Sequence, residues 1–211
     1  MTRKALASAT AVVAAAAIGT LVQAQGRRAA SPTGTAAIEV GGKYDPKAQE
    51  PTYLGGKWIE ITYGRPIRRG RDVFGSGANY GKVANPDQPV WRAGANQTTQ
   101  LKTEVPLIIN GKTVAPGTYT MFVDLKPNNW TLIVSNWKAQ TRYDPNNKNE
   151  LWGAYGYTPD KDVVRAPMKT ETLPHSHEEL SWEFLDVTDA GGTMAVMWDK
   201  TMGSVPFKIG S

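Results

Sequence analysis

A chain of 211 residues with 21 glycines, 14 prolines and no cysteine is long enough for one domain with appendages and a sizeable core. The missing cysteine excludes disulfides, a thiol nucleophile and a lipid-modified cysteine anchor. The formal charge of +5, from 24 basic and 19 acidic residues, falls to +3 once Arg3 and Lys4 are set aside; with no basic stripe or recognisable binding motif, nucleic acid is excluded as a partner.

The first residues carry the marks of export. Arg3 and Lys4 precede an uncharged Ala/Val/Ile/Leu-rich run from Ala5 to Val22, and Val22-Gln23-Ala24 sets small residues where a signal peptidase reads. A signal peptide over 1–24, cleaved after Ala24, is the expectation, with delivery to the periplasm or beyond. The alanine-rich run falls short of the roughly 20 strongly apolar residues of a retained span, so no stable membrane insertion is expected after cleavage. Residues 25–50 are rich in Ala, Gly, Ser, Thr and Pro. Few large apolar groups are available there to offset chain entropy, so the segment reads as a flexible leader.

From 51 to 211 the texture becomes that of a single β domain. Glycine and proline make up roughly a sixth of the whole chain against an average of about 12%, a density that suits short strands joined by turns. "KWIEITY" sets Ile59, Ile61 and Tyr63 on one face, the two-residue period of a strand. "LIINGKTV" holds Asn110-Gly111 between apolar runs, a strong hairpin signal. "APGTYTMFVDL" alternates Tyr119, Met121, Val123 and Leu125, "KPNN" turns the chain, and "WTLIVS" alternates Trp130, Leu132 and Val134. Val163 to Leu173 reads as extended with a break at Pro167. "LSWEFLDV", "TMAVMWD" and "SVPFKI" complete the series. No convincing helical period follows the leader. The pattern predicts an all-β fold, an antiparallel β-sandwich of about eight or nine strands.

The stretches "YGRPIRRGRDVFG", "VWRAGANQTT", "APGTYTMF", "LWGAYGYTPDKDVVR" and "MAVMWDKTMGSVPFKI" together resemble the bacterial family known as domain of unknown function 2911. The resemblance runs in order from about Lys57 to Ile209. It implies an exported, β-rich domain and supplies no activity. This chain departs from the family pattern by carrying "ANPDQP" (Ala84 to Pro89) between Tyr-Gly-Lys and Val-Trp-Arg, a longer loop beside the signature segment.

Candidate site residues must therefore be weighed on their own chemistry. Arg65, Arg71 and Arg92 offer rigid donor forks that grip carboxylates or phosphates bidentately; the alternative is that they pair with Asp72, Asp162 or Glu60 and pin loops to the sandwich. For Arg92 the expected arrangement is a nearby acidic partner, with Asn96 shaping the turn that holds it, a role for which its tolerance of left-handed backbone suits it. Trp91, Trp137, Trp152, Tyr155 and Tyr157 combine flat faces with polar tips, fit for sugar rings but equally for the core. "WGAYGY" alternates as a strand would. His175 and His177 share a face if "PHSHEE" is a strand, a spacing seen in metal sites, yet an exposed polar loop is the simpler expectation, and no cofactor is assigned. Ser176 beside two histidines is not a triad. The leading expectation is a non-catalytic binding module for a small anionic or carbohydrate ligand, built on Arg65, Arg71, Trp91, Arg92, Asn96, Trp152 and Tyr155. The competing readings are a hydrolase using the His175/His177 segment or the arginines, and a structural or protein-binding role. Oligomeric state is not readable from the sequence.

Overall fold

The computed structural model describes residues 30–47, 49–50 and 52–210, so the expected signal peptide lies outside the described residues. In chain order the strands are β1 (Thr33–Val40), β2 (Lys43–Asp45), β3 (Thr52–Leu54), β4 (Lys57–Gly64), β5 (Thr99–Thr103), β6 (Leu107–Ile109) and β7 (Lys112–Val114). There follow β8 (Gly117–Asp124), β9 (Thr131–Ser135), β10 (Lys138–Ala139), β11 (Glu150–Leu151), β12 (Asp162–Pro167), β13 (Lys169–Thr188) and β14 (Gly191–Ile209). Two single-turn 3-10 helices interrupt them, and no α-helix occurs among the described residues.

The strands build an antiparallel β-sandwich. One sheet runs β1-β4-β5-β8-β9-β12 and the other β13-β14-β6-β7. Ile59, Ile61, Leu101, Met121, Val123, Leu132 and Val134 from the first sheet meet Leu107, Ile109, Leu180, Trp182, Met194, Val196 and Phe207 from the second in one buried core. Burying each such side chain stabilises the fold by roughly 1.5–3 kcal/mol. The alternation read in "KWIEITY" is realised in β4, whose Ile59, Ile61 and Tyr63 are buried while Glu60 and Thr62 are only partly covered. The Asn110-Gly111 hairpin joins β6 to β7 with both turn residues at positive φ, 48° and 73°, as a two-residue hairpin of matching twist requires. The two facing sheets hold six and four strands, more than the eight or nine expected. β14 runs unbroken through both "TMAVMWD" and "SVPFKI".

Strand β8 is buried from Tyr119 to Val123 on both faces. Its inner face belongs to the core, and Phe122 on the outer face joins Val90, Ile133, Trp137, Leu151, Ala154 and Tyr157 in a second cluster. The chain between β9 and β12 thus lies as a third layer over the six-stranded sheet. Its only regular pairing is the two-residue parallel ladder of β10 with β11.

Two expectations about local structure are corrected. Thr33–Val40, inside the segment expected to be flexible leader, is the edge strand β1, paired with β4 from Thr33 against Gly64 to Val40 against Lys57. An edge strand needs few large side chains. Ile38 and Val40 reach the core, and the ladder with β4 supplies the remaining order. "PHSHEE" is not a loop but the middle of β13, where the register with β14 shifts between Thr172 and His177 and again between His177 and Ser181. Pro174 sits in that irregular stretch, where a strand residue is not required to donate to a ladder.

Candidate binding site

The segment Val90–Gln100 is a strap between the two sheets. Trp91 makes an isolated antiparallel bridge with Val123, exchanging two backbone hydrogen bonds of 2.8 Å. Its fully buried ring lies among Phe74, Trp130 and Trp198, stacked on Trp198 with centroids 6.3 Å apart and planes at 10°. Beyond it the backbone takes left-handed conformations at Ala93 (φ 47°) and Asn96 (φ 59°). Non-glycine residues hold such angles only when the surroundings over-determine them. The surroundings here are specific: the indole N–H of Trp182 donates to the Ala93 carbonyl at 2.9 Å, and the Ala95 N–H donates to Gly64 at 3.2 Å. Gly64 has to be glycine, because a Cβ there would collide with the Ala95 carbonyl oxygen.

Arg92 leaves this strap beside the turn that Asn96 forms. Its Nη1 donates to the Asn96 carbonyl at 2.8 Å, and its guanidinium carbon lies 5.7 Å from the centre of the Tyr155 ring. The expected acidic partner is absent: among the described residues no carboxylate forms an ion pair with Arg92. The reason is local, since the strap folds its own carbonyl back onto the guanidinium. Arg71 is held in the same manner. Its Nε donates to the Arg68 carbonyl at 2.9 Å and its Nη2 to the Ile67 carbonyl at 2.6 Å, with the head 5.8 Å from the Trp198 ring centre. Backbone carbonyls orient a guanidinium without cancelling its charge.

These two arginines open into one cavity of about 410 Å³ whose lining also includes Asn96, Trp152, Tyr155 and Trp198. Among the described residues that line it there is no carboxylate. Five of the seven residues singled out in the sequence therefore converge: Arg71, Arg92, Asn96, Trp152 and Tyr155. Trp91 lies beneath as core. Arg65 is elsewhere, with Nη2 at 2.8 Å from Glu179 Oε2, so the loop-pinning role holds for this arginine, though not with the acids expected. Asp162 and Asp124 pair with Arg165 instead, and Glu60 with Lys102. Ala84, the first residue of the inserted loop, and its neighbour Val83 also line the cavity. Trp198 is not legible as a site residue from the sequence, because "TMAVMWD" reads as a strand whose Met194, Val196 and Trp198 fall on one face. It is core, and its edge still reaches the cavity wall. The indole N–H groups of Trp91 and Trp198 are buried without an acceptor among the described residues.

"WGAYGY" is a turn rather than a strand. Tyr155 N–H donates to the Trp152 carbonyl and Tyr157 N–H to the Ala154 carbonyl, both at 3.2 Å, while Gly153 and Gly156 take positive φ of 64° and 77°. The turn splits the aromatics: Tyr157 is buried and Tyr155 is 51% exposed. The phenol of Tyr157 is pushed above the ordinary tyrosine range, first by burial and then by donating to the Asp162 carboxylate at 2.7 Å. Thr98 Oγ1 fastens the turn to the strap, lying 2.8 Å and 2.9 Å from the carbonyls of Leu151 and Gly153.

Behind Trp152 and Tyr155 a second cavity of about 310 Å³ is lined by Gln140, Tyr143, Asp144, Lys148 and Glu150, with Trp152 and Tyr155 shared between the two. The buried Gln140 amide organises that side. Its Nε2 lies within 3.2 Å of the carbonyls of Asp144, Asn147 and Glu150, and its Oε1 accepts from Asp144 N–H at 2.8 Å.

His175 is exposed and His177 half-buried on β13, opposite Asp199. Asp199 accepts from Ser176 Oγ at 2.7 Å and pairs with Arg68 at 3.2 Å. No group of three or more His, Asp or Glu side chains able to hold a metal occurs among the described residues.

Residues 45–207 match a family described as Protein of unknown function (DUF2911). No curated protein and no solved structure matches the chain.

Proposed function

The chain belongs to the DUF2911 family, and since that membership brings no activity with it, we propose that the protein is a non-catalytic binder of a small anionic ligand in the bacterial envelope. One observation carries the reading: Arg71 and Arg92 line the same cavity, both are fixed by backbone carbonyls, and neither is neutralised by a carboxylate among the described residues. Two oriented, uncompensated guanidinium groups form a receptor for a carboxylate or phosphate, each bond strengthened because both partners are charged. Trp152 and Tyr155 add flat walls for a ring attached to the anion. The envelope setting is supported by the basic start and apolar run of the N-terminus, the pattern expected of an export signal.

The test is calorimetric titration with glucuronic acid, with neutral glucose as the matched control lacking the carboxylate, and with inorganic phosphate. Glucuronic acid should bind, bind more weakly as salt is raised, and lose at least about tenfold in affinity in an Arg71→Met, Arg92→Met double variant, an order of magnitude in keeping with charged hydrogen bonds. Equal affinity for glucose and glucuronic acid, or binding untouched by the double variant, overturns the proposal.

A further inference from the structure

The arginine cavity does not end at Trp152 and Tyr155. Both residues are also walls of the second cavity, so the two hollows adjoin along one pair of aromatic side chains. Tyr143 extends that pair into a ridge, its ring 6.0 Å from that of Trp152 at 53°. Tyr143 is 56% and Tyr155 51% exposed, and both are among the few large apolar side chains that the described surface leaves uncovered. Exposed aromatic faces flanked by concave polar surface are suited to the C–H faces of sugar rings.

The charges at the two ends differ. Arg71 and Arg92 serve the first cavity. The second carries Asp144 and Glu150 beside Lys148, together with the amides of Gln140 and Asn147. Glu150 is engaged by Asn147 Nδ2 at 3.0 Å and Asp144 by the Asn146 N–H at 2.9 Å, so both carboxylates are set as acceptors. The two carboxylates outnumber the single ammonium of Lys148, which donates to the Pro145 carbonyl at 2.6 Å, so this end stays net negative: its acceptors suit hydroxyl donors and repel a second acidic group. Each cavity alone sits near the lower end of the roughly 300–1,000 Å³ typical of small-molecule sites.

Resting on the anion-binding reading, we infer that the ligand is an oligosaccharide with one acidic sugar at its end and neutral sugars following it. The acidic unit occupies the Arg71/Arg92 cavity. The chain crosses the ridge of Trp152, Tyr155 and Tyr143, and the neutral units offer hydroxyls to Asp144 and Glu150. A ligand with a carboxylate on every unit is disfavoured, because its second acid meets the acidic end.

Four probes separate the parts of this inference: glucuronic acid, an aldouronic trisaccharide in which glucuronic acid caps xylobiose, neutral xylotriose, and trigalacturonic acid. The aldouronic trisaccharide should bind roughly five- to tenfold tighter than glucuronic acid, a gain of the size expected for added aromatic contacts, and tighter than trigalacturonic acid. Tyr143→Ala, at an exposed position, should abolish that gain and leave glucuronic acid affinity unchanged. Saturation-transfer NMR should show the xylose protons in contact with the wild-type protein. Equal affinity for the trisaccharide and glucuronic acid, or a gain that survives Tyr143→Ala, overturns the extended site and leaves the anion reading intact. Tightest binding by trigalacturonic acid overturns the polarity. Binding of xylotriose without glucuronic acid, or of none of the probes, overturns the anion reading itself.

Discussion

Replacing Arg92 with methionine keeps the apolar stem and removes a head group that makes two contacts, the 2.8 Å bond to the Asn96 carbonyl and the approach to Tyr155 at 5.7 Å. A hydrogen bond involving a charged group contributes about 1.5–3 kcal/mol when sheltered, but this one is exposed, which brings it to about 0.5–1 kcal/mol. An exposed cation–π contact contributes about 0.5–1 kcal/mol. Together the loss is about 1–2 kcal/mol. An arginine tied to a buried carboxylate behaves differently, because its removal strands a charge at a cost of about 3–5 kcal/mol. Urea unfolding reads the difference directly, since the midpoint shifts at unchanged slope when only stability is altered. For a chain of this size the thermal midpoint should fall by about 2–8 °C, at about 2–4 °C per kcal/mol. Asn96→Ala should lose about 1 kcal/mol as well, because alanine is disfavoured at φ 59°, whereas Asn96→Gly should be tolerated. A loss of more than about 3 kcal/mol in Arg92→Met refutes the backbone-only tether. No loss at all refutes the strap.

Gly64→Ala should destabilise by about 1–3 kcal/mol, the usual cost of forcing atoms into a packed site, because the added carbon meets backbone rather than a movable side-chain tip. It should weaken glucuronic acid binding in the same variant by displacing Ala95 and, with it, Asn96; a variant with wild-type stability and affinity contradicts this account. Tyr157 should contribute to the loss of stability at alkaline pH. Its folded pKa lies above the unfolded value, so its contribution is complete below about pH 10, where free tyrosine ionises, and is lost as pH rises from there. Urea midpoints between about pH 9 and 11 should therefore fall less steeply for Tyr157→Phe than for wild type, and parallel curves rule the effect out.

What could be read from the sequence was what neighbours in the chain decide. The period of Lys57–Gly64 and the turn at Asn110-Gly111 are local, and both appear as read. Strand β1 was not legible because its order comes from β4, across an intervening hairpin. "WGAYGY" alternates on paper, but Gly153 and Gly156 bend it, and those glycines were the available signal against a strand. The residue types of the candidate site were legible and their company was not. Arg71 and Arg92 stand on separate segments whose meeting depends on the packing of Trp91 against Trp198. The partner of Arg92 was misjudged in kind, since charge directs attention to acids while the strap offers a carbonyl four residues away.

The Gln140 amide has a consequence for kinetics. The layer carrying Trp152 and Tyr155 has almost no strand ladder of its own; the Gln140 amide ties it together internally, Thr98 fastens it to the strap, and Trp137, Leu151, Ala154 and Tyr157 seat it on Phe122 and Ile133. Because Gln140 binds the segment to itself, the layer should lift as one unit, at the cost of the Thr98 bonds and of the apolar cluster it covers, while the core between the two sheets stays closed.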